Sequence, residues 1–301
     1  MRTLLSFLLW GSMFFVQAQE VTLTVLGIAQ DAGAPQMNCT KKCCENRWVE
    51  KAVPVVALGV ADTDTNRFFL FEATPDLPEQ HHFMQQAYPL QTLGGIFLTH
   101  AHIGHYSGLM YLGKEAMGAK KVTVYAMPRM RNFLNNNAPW DQLITESNIR
   151  IHPLTDGKRV DISRQLKVTP LQVPHRDEYS ETVGYVIEGP TKKALFIPDI
   201  DKWERWETAF ETVLSTVDYA FLDATFFDGT ELPNRDMAAI PHPFVLESME
   251  RWKDLPLAEK SKIFLLHFNH TNALLQPNSP AVERVKKEGL QIAKVGQQFQ
   301  L

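Results

Sequence analysis

Residues 95–108 decide the fold and read Gly95-Ile-Phe-Leu-Thr-His100-Ala-His102-Ile-Gly-His105-Tyr-Ser-Gly108. An apolar run typical of a buried strand ends at Thr99, three histidines follow, and a helical pattern begins at His105. Side chains two positions apart in an extended backbone point to the same side, so His100 and His102 can face one ion, and the turn can bring His105 back toward them. Neutral imidazole is a preferred ligand of zinc and similar metals. The segment therefore predicts a metal site at the end of a strand.

The composition is that of an ordinary globular protein and excludes several classes. The chain has 301 residues, of which 45% are hydrophobic and 21% charged, so it is not a disordered, collagen-like or coiled-coil protein. Lys and Arg number 30 against 34 Asp and Glu, with no basic run, so we expect no nucleic-acid partner. Three cysteines are too few for a disulfide-built scaffold. These features favour a globular enzyme or binding protein that takes a small molecule.

The first 20 residues, MRTLLSFLLWGSMFFVQAQE, have the pattern of an export signal. Arg2 supplies the positive start, an apolar stretch follows, and Val16 and Ala18 fit the small-residue rule for cleavage after Ala18. The apolar stretch of about 13 residues is short against the roughly 20 needed to span a bilayer. We therefore expect a signal peptide over residues 1–18, a single domain over 19–301, a periplasmic or secreted location, and no membrane anchor after cleavage.

Strand and helix patterns alternate along the rest of the chain. Runs rich in Val, Ile, Leu and Phe predict strands at 21–29, 55–61, 68–73, 95–99, 122–126, 166–173, 183–187, 194–197, 219–222 and 263–266. Helical periodicity predicts helices at 79–87, 105–117, 203–214, 243–252 and 279–288, with Ser279 as the N-cap of the last. Two sheets flanked by helices in an α/β domain fit this order.

The histidine segment resembles the His-x-His-x-Asp-His signature of the metallo-β-lactamase superfamily. Four more stretches resemble motifs of that superfamily in the expected order: Phe71-Glu-Ala-Thr-Pro-Asp76, Val173-Pro-His175, Phe196-Ile-Pro-Asp199 and Leu265-Leu-His267. The resemblance implies an α/β fold, the four-layer αβ/βα sandwich, with metals at one edge.

The same resemblance implies a role for each motif residue. His100, His102 and His175 would hold a first metal, Asp199 would bridge two metals and orient a catalytic water, and His105 and His267 would belong to a second site. Asp76 would support the metal loop, and Asp223, at another strand end, could support it too.

Within the superfamily, the chain resembles the pyrroloquinoline-quinone biosynthesis B branch. The matching pieces are Gly27-Ile-Ala-Gln-Asp-Ala-Gly33 with the cysteines after it, Asp228-Gly-Thr230 followed by Glu231, Arg235 and Met237, and His267-Phe-Asn-His-Thr-Asn272. The cyclic-phosphate phosphodiesterases are a neighbouring branch, and they make His242 a plausible catalytic proton donor. The alternative for His242 is a structural imidazole between two prolines that caps the next helix.

Two positions depart from the expected patterns. Residue 104 is Gly where the superfamily signature has Asp, a ligand of the second metal. We therefore expect one tight metal, most simply Zn²⁺, and a second that is weaker or absent and held by His105, His267 and Asp199. His102 stands where the quinone-biosynthesis branch usually has Asp, which brings the chain closer to the hydrolases. Imidazole and carboxylate ligands also leave Fe²⁺ or Mn²⁺ open.

Cys39, Cys43 and Cys44 allow two interpretations. In an oxidising compartment Cys39 could pair with Cys43 or Cys44, and we favour this disulfide. The alternative is a structural zinc site, since related proteins carry a cysteine cluster here, but three sulfurs leave a fourth ligand to be found. His270 is expected to hydrogen-bond with Asn269 and Asn272 near the metals.

The leading hypothesis is an exported metal-dependent hydrolase with zinc as the preferred metal, in which a metal-activated water attacks an ester, phosphodiester, lactone or amide. One alternative is an iron-dependent oxygenase of the quinone-biosynthesis type, and another is a non-catalytic binding protein on the same fold, for which Gly104 is the only support. We expect the loops 126–146, with Trp140, and 226–243 to roof the site.

Overall fold

A computed structural model describes residues 20–48, 52–176 and 178–301, and within them the chain forms two seven-stranded sheets. The expected signal peptide, residues 1–18, lies outside the described residues. The first sheet has the order β14-β1-β2-β3-β4-β5-β6, built from β1 Val21–Gly27, β2 Ala57–Asp62, β3 Arg67–Phe71, β4 Thr92–Phe97, β5 Val122–Ala126, β6 Ile149–Pro153 and β14 Gln298–Gln300. The second has the order β13-β12-β11-β10-β9-β8-β7, built from β7 Val160–Asp161, β8 Lys167–Gln172, β9 Val183–Glu188, β10 Lys193–Ile197, β11 Tyr219–Asp223, β12 Ile263–Leu266 and β13 Gln291–Ile292.

Helices cover the outer faces of both sheets. The α-helices of the described ranges are α1 Lys42–Glu45, α2 Leu77–Ala87, α3 Ile103–Tyr106, α4 Pro128–Asn136, α5 Trp140–Thr145, α6 Phe210–Leu214, α7 Val245–Arg251, α8 Leu257–Lys260 and α9 Pro280–Lys287. Short 3₁₀ helices lie at Asn46–Trp48, Ser107–Leu112, Trp203–Arg205, Met237–Ala239 and Ala273–Leu275. Ser279 caps α9 as expected, since its Oγ accepts a hydrogen bond from the Val282 amide at 3.3 Å. None of the described helices is long and apolar enough to cross a membrane.

Alternation along the strands creates three apolar layers. Phe69 and Phe71 of β3 point between the sheets, where Phe71 stacks on Phe97 with ring centroids 4.8 Å apart. Phe68 and Leu70 of the same strand point the other way, toward the helices of the first sheet. A third cluster, including the fully buried Trp252, fills the space between the second sheet and its helices. The predicted four-layer αβ/βα sandwich is therefore confirmed.

The predicted strands are all present, and the strands that the sequence analysis missed are the sheet edges. Each of the ten predicted runs contains a strand, with ends moved by a few residues. The four missed strands, β6, β7, β13 and β14, are the outermost strands of the two sheets. Edge strands are short and half-exposed, so they lack the apolar bursts by which buried strands are recognised.

The helix predicted over 105–117 is wrong beyond its first turn. The carbonyl of His105 accepts a hydrogen bond from the Ala73 amide at 2.9 Å, and the Gly108 amide bonds back to the Ala73 carbonyl at 2.9 Å. These bonds tie the segment to the end of β3 in place of continuing the helical ladder. Residue 108 must be Gly, because a β-carbon there would lie 2.0 Å from the carbonyl oxygen of Thr74. The histidine segment is thereby locked against the strand that precedes it.

Candidate metal centre

The candidate site lies where the carboxyl ends of several strands meet. β3 and β4 are parallel in the first sheet, and β10, β11 and β12 are parallel in the second, so the residues after these strands gather at one edge of the sandwich. His100, Asp199, Asp223 and His267 follow or end four of them. The convergence expected from the motifs is therefore present, while the ligand role of each residue remains a prediction.

The first group of possible ligands consists of His100, His102, His175 and Asp199, whose ligand atoms all lie within 4.8 Å of one another. His100 Nε2 is 2.8 Å from His102 Nδ1 and 3.3 Å from Asp199 Oδ2. His175 Nε2 is 3.3 Å from the other oxygen, Asp199 Oδ1. His100, His175 and Asp199 are buried, and His102 is half-buried. These are the residues that the sequence analysis assigned to the first metal.

The second group consists of Asp31, His105, Asp199 and His267, again within 4.8 Å. His105 Nε2 lies 2.9 Å from Asp31 Oδ1 and 3.7 Å from Asp199 Oδ2, and His267 Nε2 lies 3.7 Å from the same Asp199 oxygen. Asp199 is thus shared by both groups, as a bridging carboxylate would be. His267 has a positive φ of 64°, which is costly for a residue other than Gly and is typical of functional positions.

Asp31 was missed by the sequence analysis and changes the expectation for the second site. The carboxylate that Gly104 lacks is supplied by Asp31, which follows β1. A β-carbon on residue 104 would lie 2.6 Å from Asp31 Oδ1, so the Asp31 carboxylate fills the space beside Gly104. Gly104 was the only reason to expect a weaker or absent second metal. With Asp31 in this place, Gly104 no longer implies a weak second site. A polar residue just past a buried strand was the available signal for Asp31.

The residues of both groups fit a metal ion. Five buried atoms, Asp31 Oδ1, His105 Nε2, His175 Nε2, Asp199 Oδ1 and His267 Nε2, have no hydrogen-bond partner within the described ranges. The 2.9 Å approach of His105 to Asp31 does not have hydrogen-bond geometry. Unpartnered buried polar atoms are destabilising, and cations satisfy them. Histidine and carboxylate donors in groups of four suit zinc, and they also suit iron or manganese.

The ring orientations of the histidines are fixed from outside. Four Nδ1 atoms have an oxygen partner: Thr99 Oγ1 for His100 at 2.9 Å, Glu72 Oε1 for His105 at 3.0 Å, Asp201 Oδ1 for His175 at 3.2 Å and Thr225 Oγ1 for His267 at 2.8 Å. Their Nε2 atoms are left to face the centre. His102 is the exception, because its Nδ1 points inward while its Nε2 lies 3.5 Å from Glu178. Such outer partners set tautomer and geometry at metal sites.

The supporting carboxylate differs from the one expected. Asp76 accepts a hydrogen bond from the Val55 amide at 2.7 Å, and the described contacts do not join it to the metal-centre histidines. Glu72, from the same motif, is fully buried and bonds to Thr99 Oγ1 at 2.5 Å and to His105. Both carboxylates belong to the stretch 71–76, so the sequence alone did not distinguish them. The turn after β3 directs only Glu72 toward the metal-centre histidines.

Burial and charge set the protonation of the centre. Burial favours the neutral form of His105, but the carboxylates of Glu72 and Asp31 outweigh burial and hold its pKa well above the usual range. Burial, with the neighbouring His105, holds the pKa of His100 well below it. Burial would raise the pKa of Asp199, yet the imidazoles around it hold that pKa well below the usual range. An ionised Asp199 among imidazoles suits a bridging ligand.

His242 lies in the centre and not at a helix cap. Its Nδ1 is 2.8 Å from Asp223 Oδ2 and 3.1 Å from Asp199 Oδ1. Burial lowers its pKa, but Asp223 and Asp199 outweigh burial and raise the pKa to about 9. The N-cap of the following helix, α7, is Phe244, whose backbone amide donates a hydrogen bond to Glu247 at 2.9 Å. The helix-capping alternative for His242 is therefore wrong, and Asp223 supports the site as expected.

The three cysteines form a separate cluster with His270. Ligand atoms of Cys39, Cys43, Cys44 and His270 lie within 4.8 Å of one another. All three thiols are free, and the Cys39 and Cys43 sulfurs are 4.0 Å apart, against about 2.05 Å in a disulfide. The favoured disulfide is not formed, and His270 lies where it could serve as the fourth ligand of a zinc site. His270 hydrogen-bonds with Asn269 at 3.1 Å, as expected. The expected bond with Asn272 is not found in the described contacts, because the Asn272 amide donates to the carbonyls of Ala224 and Thr225.

The two expected roof loops are placed differently. Residues 226, 235, 236 and 239–242 line a cavity that reaches His242. Trp140 packs against Tyr106 and Phe133, with ring centroids 4.9 and 5.7 Å away. Loop 226–243 therefore borders the site, while the described contacts of Trp140 are with other aromatic rings.

Comparison with known proteins agrees with this geometry. The family model described as "Beta-lactamase superfamily domain" matches residues 67–268, about two thirds of the chain. The chain is 25% identical to the coenzyme PQQ synthesis protein B of Methylorubrum populi over 309 residues, which cover 91% of this chain and 98% of that protein. It is 26% identical to the protein of the same name from Methylobacillus flagellatus, over 90% of this chain and 97% of that one.

Solved structures give the same fold. Zn²⁺-bound PqqB from Methylobacterium extorquens superposes with a TM-score of 0.77 at 21% identity, covering 93% of this chain and all of that one. A diphosphatase of the PhnP family superposes with a TM-score of 0.63 at 20% identity, covering 94% and 97%. The family match, the two sheets and the histidine and aspartate groups at their edge lead to one conclusion: the chain belongs to the beta-lactamase superfamily and has the metallo-β-lactamase fold.

Proposed function

We propose that the chain is a metal-dependent hydrolase, with zinc as the preferred metal, that acts on an ester, phosphodiester, lactone or amide. One observation carries the proposal: Asp199 is common to three four-residue groups of possible ligands, namely the two described above and a third of Asp199, Asp223, His242 and His267. Five buried atoms of the first two groups have no partner within the described residues. Paired sites of this kind hold the two metals of many hydrolases. His100, His102, His175 and Asp199 would hold one ion, and Asp31, His105, His267 and Asp199 the other.

The chemistry divides between the metal and the chain. Bound zinc polarises a carbonyl or phosphoryl oxygen and lowers the pKa of water to about 7. Asp199, shared by both groups, orients the attacking water. The water oxygen bonds to the acyl or phosphoryl group, and the leaving oxygen, or the leaving nitrogen of an amide, takes a proton as its bond breaks. His242 gives that proton, since Asp223 holds its Nδ1 at 2.8 Å and the ring forms a wall of the adjoining cavity.

The proposal includes export of the protein. Arg2, the apolar stretch and the small residues Val16 and Ala18 support a signal peptide over residues 1–18 and a mature single domain over 19–301. The mature domain would then act in the periplasm or outside the cell on a small molecule, without a nucleic-acid partner or a membrane anchor.

Two other functions give different experimental results. The similarity to coenzyme PQQ synthesis proteins favours an oxidative role as the second candidate, and the same ligands would hold iron. A non-catalytic binding protein loses its one sequence argument, because Asp31 supplies the carboxylate that Gly104 lacks.

The test is metal content per chain, measured by mass spectrometry on protein purified without added metal. We expect zinc, together with zinc-dependent turnover in a screen of phosphodiesters, lactones, esters and β-lactams. His102→Ala should lose metal and turnover, whereas His82→Ala, an exposed histidine of α2, should keep both. Iron with oxygen consumption would favour the oxidative role. Full activity in His102→Ala would refute the assigned site.

A further inference from the structure

A cavity of about 250 Å³ opens directly beside the metal centre. Its walls include His242, which lies 3.1 Å from Asp199, and two chain neighbours of possible ligands. These neighbours are Gln30, which precedes Asp31, and Arg176, which follows His175. The inner end of the cavity is thus formed by the metal-centre loops, and a molecule whose reacting bond is at the metals would extend into this space.

Two guanidinium groups line the cavity, and neither has an acidic partner in the described part of the chain. Among residues 20–48, 52–176 and 178–301, no carboxylate forms an ion pair within 4.0 Å of Arg176 or Arg235, which are both exposed. Glu178 is close enough to feel the charge of Arg176, but its contact at 3.5 Å is with His102. Other arginines on this surface, such as Arg205 with Asp201 at 2.8 Å, are paired. Within the described residues, the cavity therefore offers two positive charges that have no ion-pair partner and could meet an anion.

The carboxylate in the cavity wall is already engaged. Asp236 Oδ1 accepts a hydrogen bond from the Ala238 amide at 3.0 Å and caps the 3₁₀ turn Met237–Ala239. With two guanidinium groups and one carboxylate, the described lining of the cavity has a net positive charge. Guanidinium groups bind phosphate and carboxylate through two parallel hydrogen bonds, so both anions fit here.

Part of the cavity wall is apolar and held in place. Phe226 and Ile240 are buried and pack in one small cluster with Met237 and Phe244. Glu231 fixes the start of this loop, since its carboxylate accepts hydrogen bonds from the Phe227 amide at 2.7 Å and from Thr271 Oγ1 at 2.5 Å. The cavity therefore offers apolar surface for a short organic body as well as the two guanidinium groups.

We propose that the substrate is a small organic molecule with a second, non-reacting oxyanion, a phosphate or a carboxylate, and that Arg176 and Arg235 bind this group. The inference rests on the proposed hydrolase function and narrows its substrate class. The reacting ester or phosphodiester lies at the metals, the organic body lies along Phe226 and Ile240, and the oxyanion meets the two guanidinium groups. The volume of about 250 Å³ suits a tail of a few carbon atoms and one oxyanion.

The test compares nitrophenyl esters that differ only in the tail: a neutral alkyl tail, a carboxylate tail of the succinate type and a phosphate tail of the phosphoglycolate type. The zinc-loaded protein should have a higher kcat/KM for one or both charged tails than for the neutral one. In Arg176→Gln and Arg235→Gln the charged-to-neutral ratio of kcat/KM should fall by about 10- to 100-fold, as expected for losing a hydrogen bond to a charged group. The change should be mainly in KM. Comparison of the carboxylate-tailed ester with the phosphate-tailed ester shows which of the two anions the arginines bind.

Arg159→Gln is the matched control, because it removes one positive charge from an exposed pair with Asp161, outside the cavity wall. It should leave the ratio unchanged. Equal kcat/KM for neutral and charged tails, or an unchanged ratio in both cavity variants, would overturn the proposal while leaving the hydrolase function in place.

Absence of turnover with every ester would count against the hydrolase function and not against the cavity. Calorimetric titration of the zinc-loaded protein with succinate and with phosphoglycolate then tests whether Arg176 and Arg235 bind an oxyanion. Weaker binding in the arginine variants than in Arg159→Gln would support the oxyanion site, and equal binding would refute it.

Discussion

Asp31 and Gly104 depend on each other: a β-carbon on residue 104 would lie 2.4 Å from the Cα of Asp31 and 2.6 Å from its Oδ1. Contacts below 3.0 Å do not occur for real β-carbons, so an Asp at position 104 and Asp31 in its present place exclude one another. The carboxylate that other superfamily members would carry on the histidine segment is here carried by the loop after β1. A second metal site then needs Asp31 as much as it needs His105 or His267.

Asp31→Ala should therefore weaken the second metal while the first is kept. Loss of even an orienting partner costs about 10- to 100-fold in metal affinity, so loss of a ligand should cost at least that much. Chelator competition followed by mass spectrometry of the bound metal measures both sites. Asp161→Ala, an exposed carboxylate on the edge strand β7, is the control.

A ligand exchange tests the relationship itself. Gly104→Asp alone should be destabilising because of the clash with Asp31, and Asp31→Gly with Gly104→Asp should recover part of the second-site affinity. Two ions bound as tightly by Asp31→Ala as by the unchanged protein would show that Asp31 is not a ligand.

Glu72 and Asp76 allow a similar comparison within one motif. Glu72→Gln keeps the size of the side chain but removes the charge that holds His105 Nδ1 at 3.0 Å, so second-site affinity should fall by about tenfold or more. Asp76→Asn should leave metal affinity unchanged, because Asp76 bonds to the Val55 amide. The same competition titration applies. A larger loss of metal affinity in Asp76→Asn than in Glu72→Gln would show that Asp76, and not Glu72, supports the metal centre.

Most of the fold and most candidate ligands were predictable because both depend on apolar strands. A buried strand is visible as an apolar run, and His100, His175, Asp199 and His267 each follow one closely. Parallel strands bring such residues to one edge, so their convergence follows from the order of elements. The edge strand β14, with the sequence Gln298-Phe299-Gln300, has only one apolar residue and is defined by its pairing with β1.

The site features that were not predicted depend on contacts between loops that are distant in the sequence. The place of Asp31 is set by the missing β-carbon of Gly104, and the place of His270 is set by the fold of the loop that carries the cysteines. Neither contact leaves a periodic pattern in the sequence. The choice of Glu72 over Asp76 depends on the turn after β3, where Glu72 has a positive φ of 90°.

The cysteine cluster predicts an additional, structural zinc. His270→Ala and Cys43→Ser should each lose one zinc per chain and lower the Tm by several degrees, at about 2–4 °C per kcal/mol for a chain of this size or somewhat smaller. His82→Ala should change neither. In the zinc-loaded protein the thiols should resist alkylation until a chelator is added. A purified protein whose mass shows a disulfide, with zinc content unaffected by His270→Ala, would contradict this prediction.

The pair His242 and Asp223 predicts a pH dependence. A proton donor acts only while protonated, and Asp223 and Asp199 overcome burial to raise the pKa of His242 to about 9, so kcat should fall as the pH rises through that value. Asp223→Asn removes the carboxylate that raises this pKa most strongly, so the alkaline limb should move to lower pH. His242→Ala should lower kcat by about 10²- to 10⁴-fold and abolish this limb, because the proton donor is gone.

The measurement is kcat from pH 6 to 10 on protein of verified zinc content. An alkaline limb that stays in place in both variants would mean that the proton reaches the leaving group from another source, and His242 would then act only by positioning Asp199.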